Sequence, residues 1–137
     1  MDSKQLAVRC RELAENRKAE KVVVLDVRKL SSVTDFFVIA TGLNEPHVRA
    51  IVEEITGKLI EEFGARARAQ DGTWNTPWVA LDYFDVIVHV MRPETRELYA
   101  LESLWNDAPR VRARRSTPRP ARPKQAAQTD AQAQQPA

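Results

Sequence analysis

Two aspartates that lie close together in the sequence are the first candidates for chemistry. Asp82 and Asp85 occur in the segment WVALDYFDVIVHV, which spans residues 78–90. Acids that share a catalytic Mg²⁺ on one strand lie two residues apart, because side chains alternate between the faces of a sheet. These two lie three residues apart across a turn, so the alternation directs their carboxylates to opposite faces. The spacing therefore argues against a shared metal and against metal-dependent catalysis.

A nucleotidyltransferase is the enzyme class that this region comes nearest to, because the segment ATGLNEPHV (40–48) reads as a strand, a turn and a helix start. Those enzymes carry a Gly-Ser pair in that turn, whereas this chain has Gly42 followed by Leu43. The other reactive side chains are His47, His89 and the single cysteine, Cys10, and no spacing among them suits a zinc site. We expect His89, in mid-strand, to be a hydrogen-bonded packing residue. We predict no metal, no cofactor and no enzymatic activity, with a divergent nucleotidyltransferase as the alternative.

The aromatic residues near the two aspartates suggest binding rather than catalysis. Strand alternation places Trp78 and Asp82 on one face, and Phe84 joins them if the pleat continues. Val79, Leu81 and Tyr83 share the other face and are predicted to be core. Aromatic residues beside a carboxylate are typical of a protein-binding surface. A Trp78 that packs under the last helix explains the sequence equally well, so both interpretations stay open.

The elements that position these residues follow from the hydrophobic periodicity. Helical spacing over 3–18, with Asp2 or Ser3 as N-cap, predicts a first helix. Asn44 caps a second helix that ends at Gly64. Apolar runs predict strands at 22–27, 35–41, 78–83 and 85–91, small alternating residues predict an edge strand at 65–70, and Pro93 opens a last helix that reaches Trp105.

The order α-β-β-α-β-β-β-α predicts an α/β fold with a mixed sheet of about five strands flanked by helices. A helix between strands requires a crossover, whereas the strands joined at 83–85 form a hairpin. No apolar run approaches the roughly 20 residues that span a bilayer. The N-terminus lacks the apolar core of a signal peptide, and a lone cysteine suits a reducing compartment. We therefore expect a cytoplasmic protein with no membrane partner.

A basic tail follows the predicted domain. We assign residues 1–108 to the α/β domain and 109–137 to a tail rich in Pro, Ala and Gln, which we predict to be disordered. The tail has seven basic residues and one acid, whereas the rest of the chain has fourteen basic and eighteen acidic residues. The positive charge favours a nonspecific contact with RNA, and a solubilising extension explains it equally well. The tail has no aromatic residue for base stacking, yet a tail-driven RNA-binding adaptor remains an alternative function.

Several spaced segments resemble one known family. LDVRKLSSVTDFFVIATG (25–42), HVRAI (47–51), WVALDYFDVIVHV (78–90) and RELYALESLW (96–105) follow one another as in the ribosomal silencing factors, also called Iojap-like proteins. The resemblance covers residues 3–107 and leaves out the tail. It implies a small α/β domain similar to the nucleotidyltransferase fold but without its catalytic residues.

The resemblance also implies a function and a site. Family members bind the large ribosomal subunit through its protein fourteen of the universal L series, block joining of the small subunit and repress translation when nutrients are scarce. A role in large-subunit maturation is also associated with the family. The docking segment W-x-x-x-D of the family matches Trp78 and Asp82, so we predict Trp78, Asp82, Tyr83 and Phe84 as partner-binding residues. Phe84 stands where the family commonly has glycine, so it must accept a different turn or add an aromatic contact. We expect a monomer or a weak homodimer.

Overall fold

A computed structural model describes residues 2–73, 75–100 and 108–111 of the chain. The predicted order of helices and strands is confirmed. The last helix was predicted to reach Trp105, but it ends at Tyr99, because Ala100 adopts the left-handed conformation with φ 44°. Residues 101–105 lie outside the described ranges. The elements are α1 (Ser3–Asn16), β1 (Glu20–Asp26), β2 (Phe36–Thr41), α2 (Glu45–Phe63), β3 (Ala69–Asp71), β4 (Trp78–Asp82), β5 (Val86–Met91) and α3 (Pro93–Tyr99). None of the helices in the described ranges is both long and apolar enough to cross a membrane.

The five strands form one mixed sheet in the order β1-β2-β5-β4-β3. β2 and β5 are parallel, and the other neighbouring pairs are antiparallel. The chain leaves β2, crosses over through α2 and returns to the middle of the sheet by the β4–β5 hairpin. The predicted mixed sheet and its hairpin are therefore confirmed.

The limits of the two long helices follow from local residues. Asp2 caps α1 in a reciprocal box, because its side chain accepts from the backbone N–H of Gln5 and the Gln5 side chain accepts from the backbone N–H of Asp2. Asn44 caps α2 by accepting from the N–H of His47, as predicted. Gly64 ends α2 in the left-handed region with φ 65°, where a glycine meets little steric penalty.

The edge strand predicted at 65–70 begins later in the chain and is shorter in the structure. β3 begins at Ala69, which pairs with Asp82, the last residue of β4. Residues 65–68 therefore lie beyond the end of β4. The N–H of Arg68 still donates to the carbonyl of Asp82, whereas the N–H of Ala65 donates back to the carbonyl of Leu59 near the end of α2. The length of the neighbouring strand, rather than the alternation of residues 65–70, fixes the limits of β3.

The two faces of the sheet are covered differently. α1 and α2 pack on one face, where apolar side chains of both helices meet those of β2, β4 and β5. Full burial of a Leu or Ile side chain contributes about 2 kcal/mol to stability, so this layer supplies much of the core. On the second face a smaller buried cluster consists of Leu25, Val27, Ile39, Met91 and Ala108. Trp78 of β4 is partly buried and packs against this cluster.

The C-terminal segment 109–111 lies along the outer edge of β1. The N–H of Asp26 donates to the carbonyl of Pro109 at 2.8 Å, and the N–H of Val111 donates to the carbonyl of Val24 at 2.8 Å. Arg11 of α1 donates from Nη1 to the carbonyl of Val111 at 2.8 Å. Backbone pairing therefore continues past residue 108 to Val111, because the open edge of β1 offers partners that composition does not reveal. The division into domain and tail stays a prediction. Disorder of 112–137 stays a prediction, since those residues lie outside the described ranges.

Candidate docking surface

The corner between β4 and β5 is a tight turn with Phe84 at its tip. The N–H of Tyr83 donates to the carbonyl of Val86 at 2.8 Å, and the N–H of Asp85 donates to the carbonyl of Tyr83 at 2.9 Å. The second bond spans three residues and defines a γ-turn centred on Phe84, whose φ is 78°. Phe84 therefore accepts the backbone conformation that suits glycine, at a cost of about 1–2 kcal/mol.

Asp82 holds this corner with both carboxylate oxygens. Oδ1 accepts from the backbone N–H of Phe84 at 2.7 Å, and Oδ2 accepts from Nε of Arg68 at 3.1 Å. The Arg68 guanidinium lies over the Phe84 ring, 4.6 Å from its centroid. The ring is still 60% exposed. Asp82 and Arg68 thus fix an aromatic ring that faces solvent.

Trp78, at the other end of β4, is half-buried and held from two sides. Its indole Nε1–H donates to Nδ1 of His89 at 3.0 Å. Its ring contacts the ring of Tyr99 on α3, with 4.9 Å between centroids, and Tyr99 is itself 55% exposed. The structure supports part of each interpretation of this tryptophan, because Trp78 packs against the last helix and yet keeps part of its surface accessible.

The strip of sheet between Trp78 and Phe84 is mostly apolar. Directly paired residues lie on the same face of a sheet, so Ala80 shares a face with His89, and Asp82 shares it with Ile87 and Ala69. Ala80, Asp82 and Ile87 are half-buried and Ala69 is exposed. We use the name β4 surface for Trp78, Ala80, Asp82, Phe84, Ile87 and Tyr99.

Tyr83 is not brought to the β4 surface. It is 8% exposed and belongs to the core cluster with Val79 and Leu81, on the helix-covered face. Its hydroxyl is buried and has no hydrogen-bond partner in the described part of the chain, and burial raises the pKa of the phenol. The grouping of Tyr83 with Trp78 and Asp82 on one docking surface is therefore corrected, because strand alternation turns its ring into the core.

Three of the candidate chemical groups, Asp82, His47 and His89, take part in hydrogen bonds within the protein. Asp82 is bound to Phe84 and Arg68, as described above, and no group of three potential metal ligands occurs among the residues that the structure describes. His47 accepts the N–H of Leu43 at Nδ1, 2.9 Å away, and its Nε2 lies 2.8 Å from the carbonyl of Arg17. Burial lowers the pKa of His89 to about 4, so its imidazole is neutral near pH 7.

Three contributors to this site could not be identified from the sequence. Tyr99 fits the periodicity of the last helix, and only the tertiary fold brings it to Trp78. Arg68 lies in the segment assigned to the edge strand, and its pairing with Asp82 requires the register of β3 on β4. His89 was expected to be hydrogen-bonded, but its partner depends on the register of β4 on β5, which the sequence does not reveal.

Comparisons with known proteins agree on one family. The model of the family described as ribosomal silencing factor during starvation matches residues 1–137. A ribosomal silencing factor of Halalkalibacterium halodurans is 40% identical over 107 residues, which are 78% of this chain and 88% of that protein. A crystal structure of a Chromobacterium violaceum protein superposes with a TM-score of 0.73 at 32% identity, over 77% of this chain and 88% of that one. The mouse protein named mitochondrial assembly of ribosomal large subunit protein 1 is 31% identical over 68% of this chain and 42% of its own length.

Proposed function

Because this chain belongs to the ribosomal silencing factor family, we propose that it represses translation by docking on the large ribosomal subunit. The proposed partner is protein fourteen of the universal L series, and the docked domain blocks the small subunit from joining when nutrients are limiting. The mouse relative is named for assembly of the large ribosomal subunit, so a part in large-subunit maturation belongs to the same proposal.

The observation that carries the proposal is the β4 surface. Three aromatic side chains with accessible area lie there and are held by internal contacts: Trp78 at the start of β4, Phe84 in the turn after it and Tyr99 at the end of α3. Aromatic residues that are already fixed lose little conformational entropy on binding, and they are enriched among the residues that dominate interface energies. Steric blocking of subunit joining requires affinity for the large subunit and no catalysis, so we propose that the chain is not an enzyme.

Trp78 is the proposed anchor of the complex. Removal of a central aromatic anchor costs about 2 kcal/mol or more, which corresponds to a complex roughly 30-fold weaker. Phe84 adds apolar contact area at the corner. Tyr83 supports the corner only from the core side, because its ring faces the helices.

Asp82 has two roles in this proposal. It fixes Phe84 through the 2.7 Å bond to the backbone N–H. Its other oxygen is shared with Arg68, whose side chain is 54% exposed. An exposed ion pair is worth at most about 1 kcal/mol, so a basic residue of the ribosomal protein can share or replace Arg68 at little cost. Such an exchange orients the complex and speeds encounter.

Cosedimentation with separated ribosomal subunits tests the proposal. The wild type should sediment with the large subunit alone, and Trp78→Ala, Asp82→Ala and Phe84→Ala should each reduce the bound fraction while the proteins stay folded. Phe63→Ala is the matched control, because Phe63 is an exposed aromatic residue (44%) at the end of α2, away from the β4 surface. Equal binding to both subunits, or equal loss with the Phe63 control, would refute docking through this surface.

The basic tail is proposed to add a nonspecific contact with ribosomal RNA. Deletion of 112–137 removes six of the seven tail charges and leaves the paired segment 109–111 in place. The expected result is weaker binding at low salt and little change near 0.3 M salt, since contacts with phosphates weaken as salt rises. Equal loss at every salt concentration would contradict an electrostatic role. If the isolated tail bound RNA as well as the whole protein does, the adaptor function would be favoured instead.

A further inference from the structure

We infer that His89 is a positioning residue for Trp78. It accepts the indole N–H in an internal hydrogen bond, so the partner contacts only the carbon surface of the ring. This inference rests on the proposed docking function and adds to it the chemistry of the partner's contact. His89 itself does not touch the partner, because it is only 9% exposed.

The geometry of the pair is specific. His89 lies on β5 directly opposite Ala80, and Trp78 lies two residues earlier on β4, opposite Met91. The two rings are diagonal neighbours on the second sheet face, with centroids 5.7 Å apart and planes inclined by 58°. At 3.0 Å, the Nε1–Nδ1 distance is that of a well-formed hydrogen bond. Ala80, the residue directly opposite His89 on this face, has only a methyl side chain.

His89 is itself held in place from its other side. The ring of Phe37 on β2 packs against the imidazole edge-on, with centroids 5.3 Å apart and planes inclined by 65°. Nδ1 accepts the indole N–H, so the neutral imidazole carries its proton on Nε2. Burial favours the neutral form, with a pKa of about 4, and keeps Nδ1 available as an acceptor near pH 7.

The consequence concerns what Trp78 offers to another molecule. The indole N–H is the only polar group of a tryptophan side chain, and here it is already satisfied inside the protein. A carbonyl or carboxylate of the partner would therefore gain nothing at this position. The accessible part of the ring suits aliphatic carbon or the side chain of a lysine or arginine, whose stem and charge both interact favourably with an aromatic face.

The test compares two substitutions at residue 89 in the full-length protein. His89→Asn keeps an acceptor near the position of Nδ1, whereas His89→Leu has a similar bulk and no acceptor. The net worth of one hydrogen bond predicts that His89→Leu binds the large subunit roughly two- to tenfold more weakly. His89→Asn should stay within about twofold of the wild type. The indole N–H resonance that disappears in Trp78→Phe should exchange slowly in the wild type and His89→Asn, and fast in His89→Leu.

A replacement at residue 78 covers the case in which His89→Leu does not fold. 3-Benzothienylalanine has the shape of tryptophan with sulfur in place of the N–H, so it removes only the donor. It should weaken binding to the large subunit by the same factor as His89→Leu. In a folded His89→Leu background it should cause no additional loss, since both changes remove the same hydrogen bond between residues 78 and 89.

The outcomes separate this inference from the proposed function. If Trp78→Ala abolishes binding while folded His89→Leu and the benzothienyl protein both bind like the wild type, the positioning role is wrong and the docking surface stands. If the benzothienyl protein binds more weakly and His89→Leu does not, the N–H contacts the partner directly and the inference is also overturned. If Trp78→Ala binds like the wild type, the proposed anchor fails and the inference fails with it.

Discussion

Replacement of Phe84 by glycine and by alanine should separate the stability of the corner from its part in docking. The φ of 78° at Phe84 costs an L-residue about 1–2 kcal/mol. Alanine keeps that cost, whereas glycine avoids it and loses about 0.5–1 kcal/mol through the greater freedom of the unfolded chain. The difference predicts that Phe84→Gly is more stable than Phe84→Ala by about 0.5–1 kcal/mol. Both variants also lose the contact between the Phe84 ring and the exposed Arg68 guanidinium, which lowers the free energy of unfolding by about 0.5–1 kcal/mol relative to the wild type.

Urea unfolding measures this difference when the slope m is unchanged between variants. Phe63→Gly and Phe63→Ala form the matched control pair, because Phe63 is exposed but lies in a helix with an ordinary backbone conformation. There alanine should be the more stable by up to about 1 kcal/mol, so the sign reverses between the two sites. Binding to the large subunit should fall equally in both Phe84 variants, since neither has the ring. An alanine variant at 84 as stable as the glycine variant would refute the reasoning.

Three other predictions concern the interior and the C-terminal segment. Stability should fall as the pH drops from about 6.5 to about 4, by up to about 3 kcal/mol, because unfolded His89 binds a proton that the folded form excludes; urea unfolding of His89→Asn across this range should lack that loss. Burial raises the pKa of Cys10 to about 12, so a thiol reagent at pH 8 should label the denatured protein and spare the native one; equal labelling rates would contradict this. Arg11→Met should speed amide hydrogen exchange at Val111, because the 2.8 Å bond to its carbonyl is lost; an unchanged rate would show that the backbone pairing suffices.

Features set by neighbouring residues could be predicted from the sequence. α2 begins and ends where Asn44 and Gly64 predict, because a cap and a left-handed end depend on single residues and their own backbone. The strands 36–41 and 86–91 follow from runs of mostly apolar residues without a polar alternation, which indicate strands buried on both faces. Strand alternation also predicts that Trp78 and Tyr83 lie on opposite faces of the sheet, where the fold places them.

Features set by distant partners could not be predicted. The start of β3 depends on where β4 ends, and the pairing of Pro109 with Asp26 depends on the open edge of β1. The contact of Tyr99 with Trp78 depends on how α3 returns over the sheet. The family resemblance implied a glycine at the position of Phe84, but it could not show that the phenylalanine adopts a positive φ, since that requires the bonds from Asp82 and across the turn.

The central claim is that a domain docked through the β4 surface blocks subunit joining, and light scattering of purified subunits measures this directly. Wild-type protein added to large subunits should lower the yield of joined ribosomes in proportion to the large subunits it occupies. Trp78→Ala should need roughly 30-fold more protein for the same effect, whereas Phe63→Ala should match the wild type. If the wild type binds the large subunit and joining proceeds unchanged, or if Trp78→Ala blocks joining as well as the wild type does, the account is contradicted.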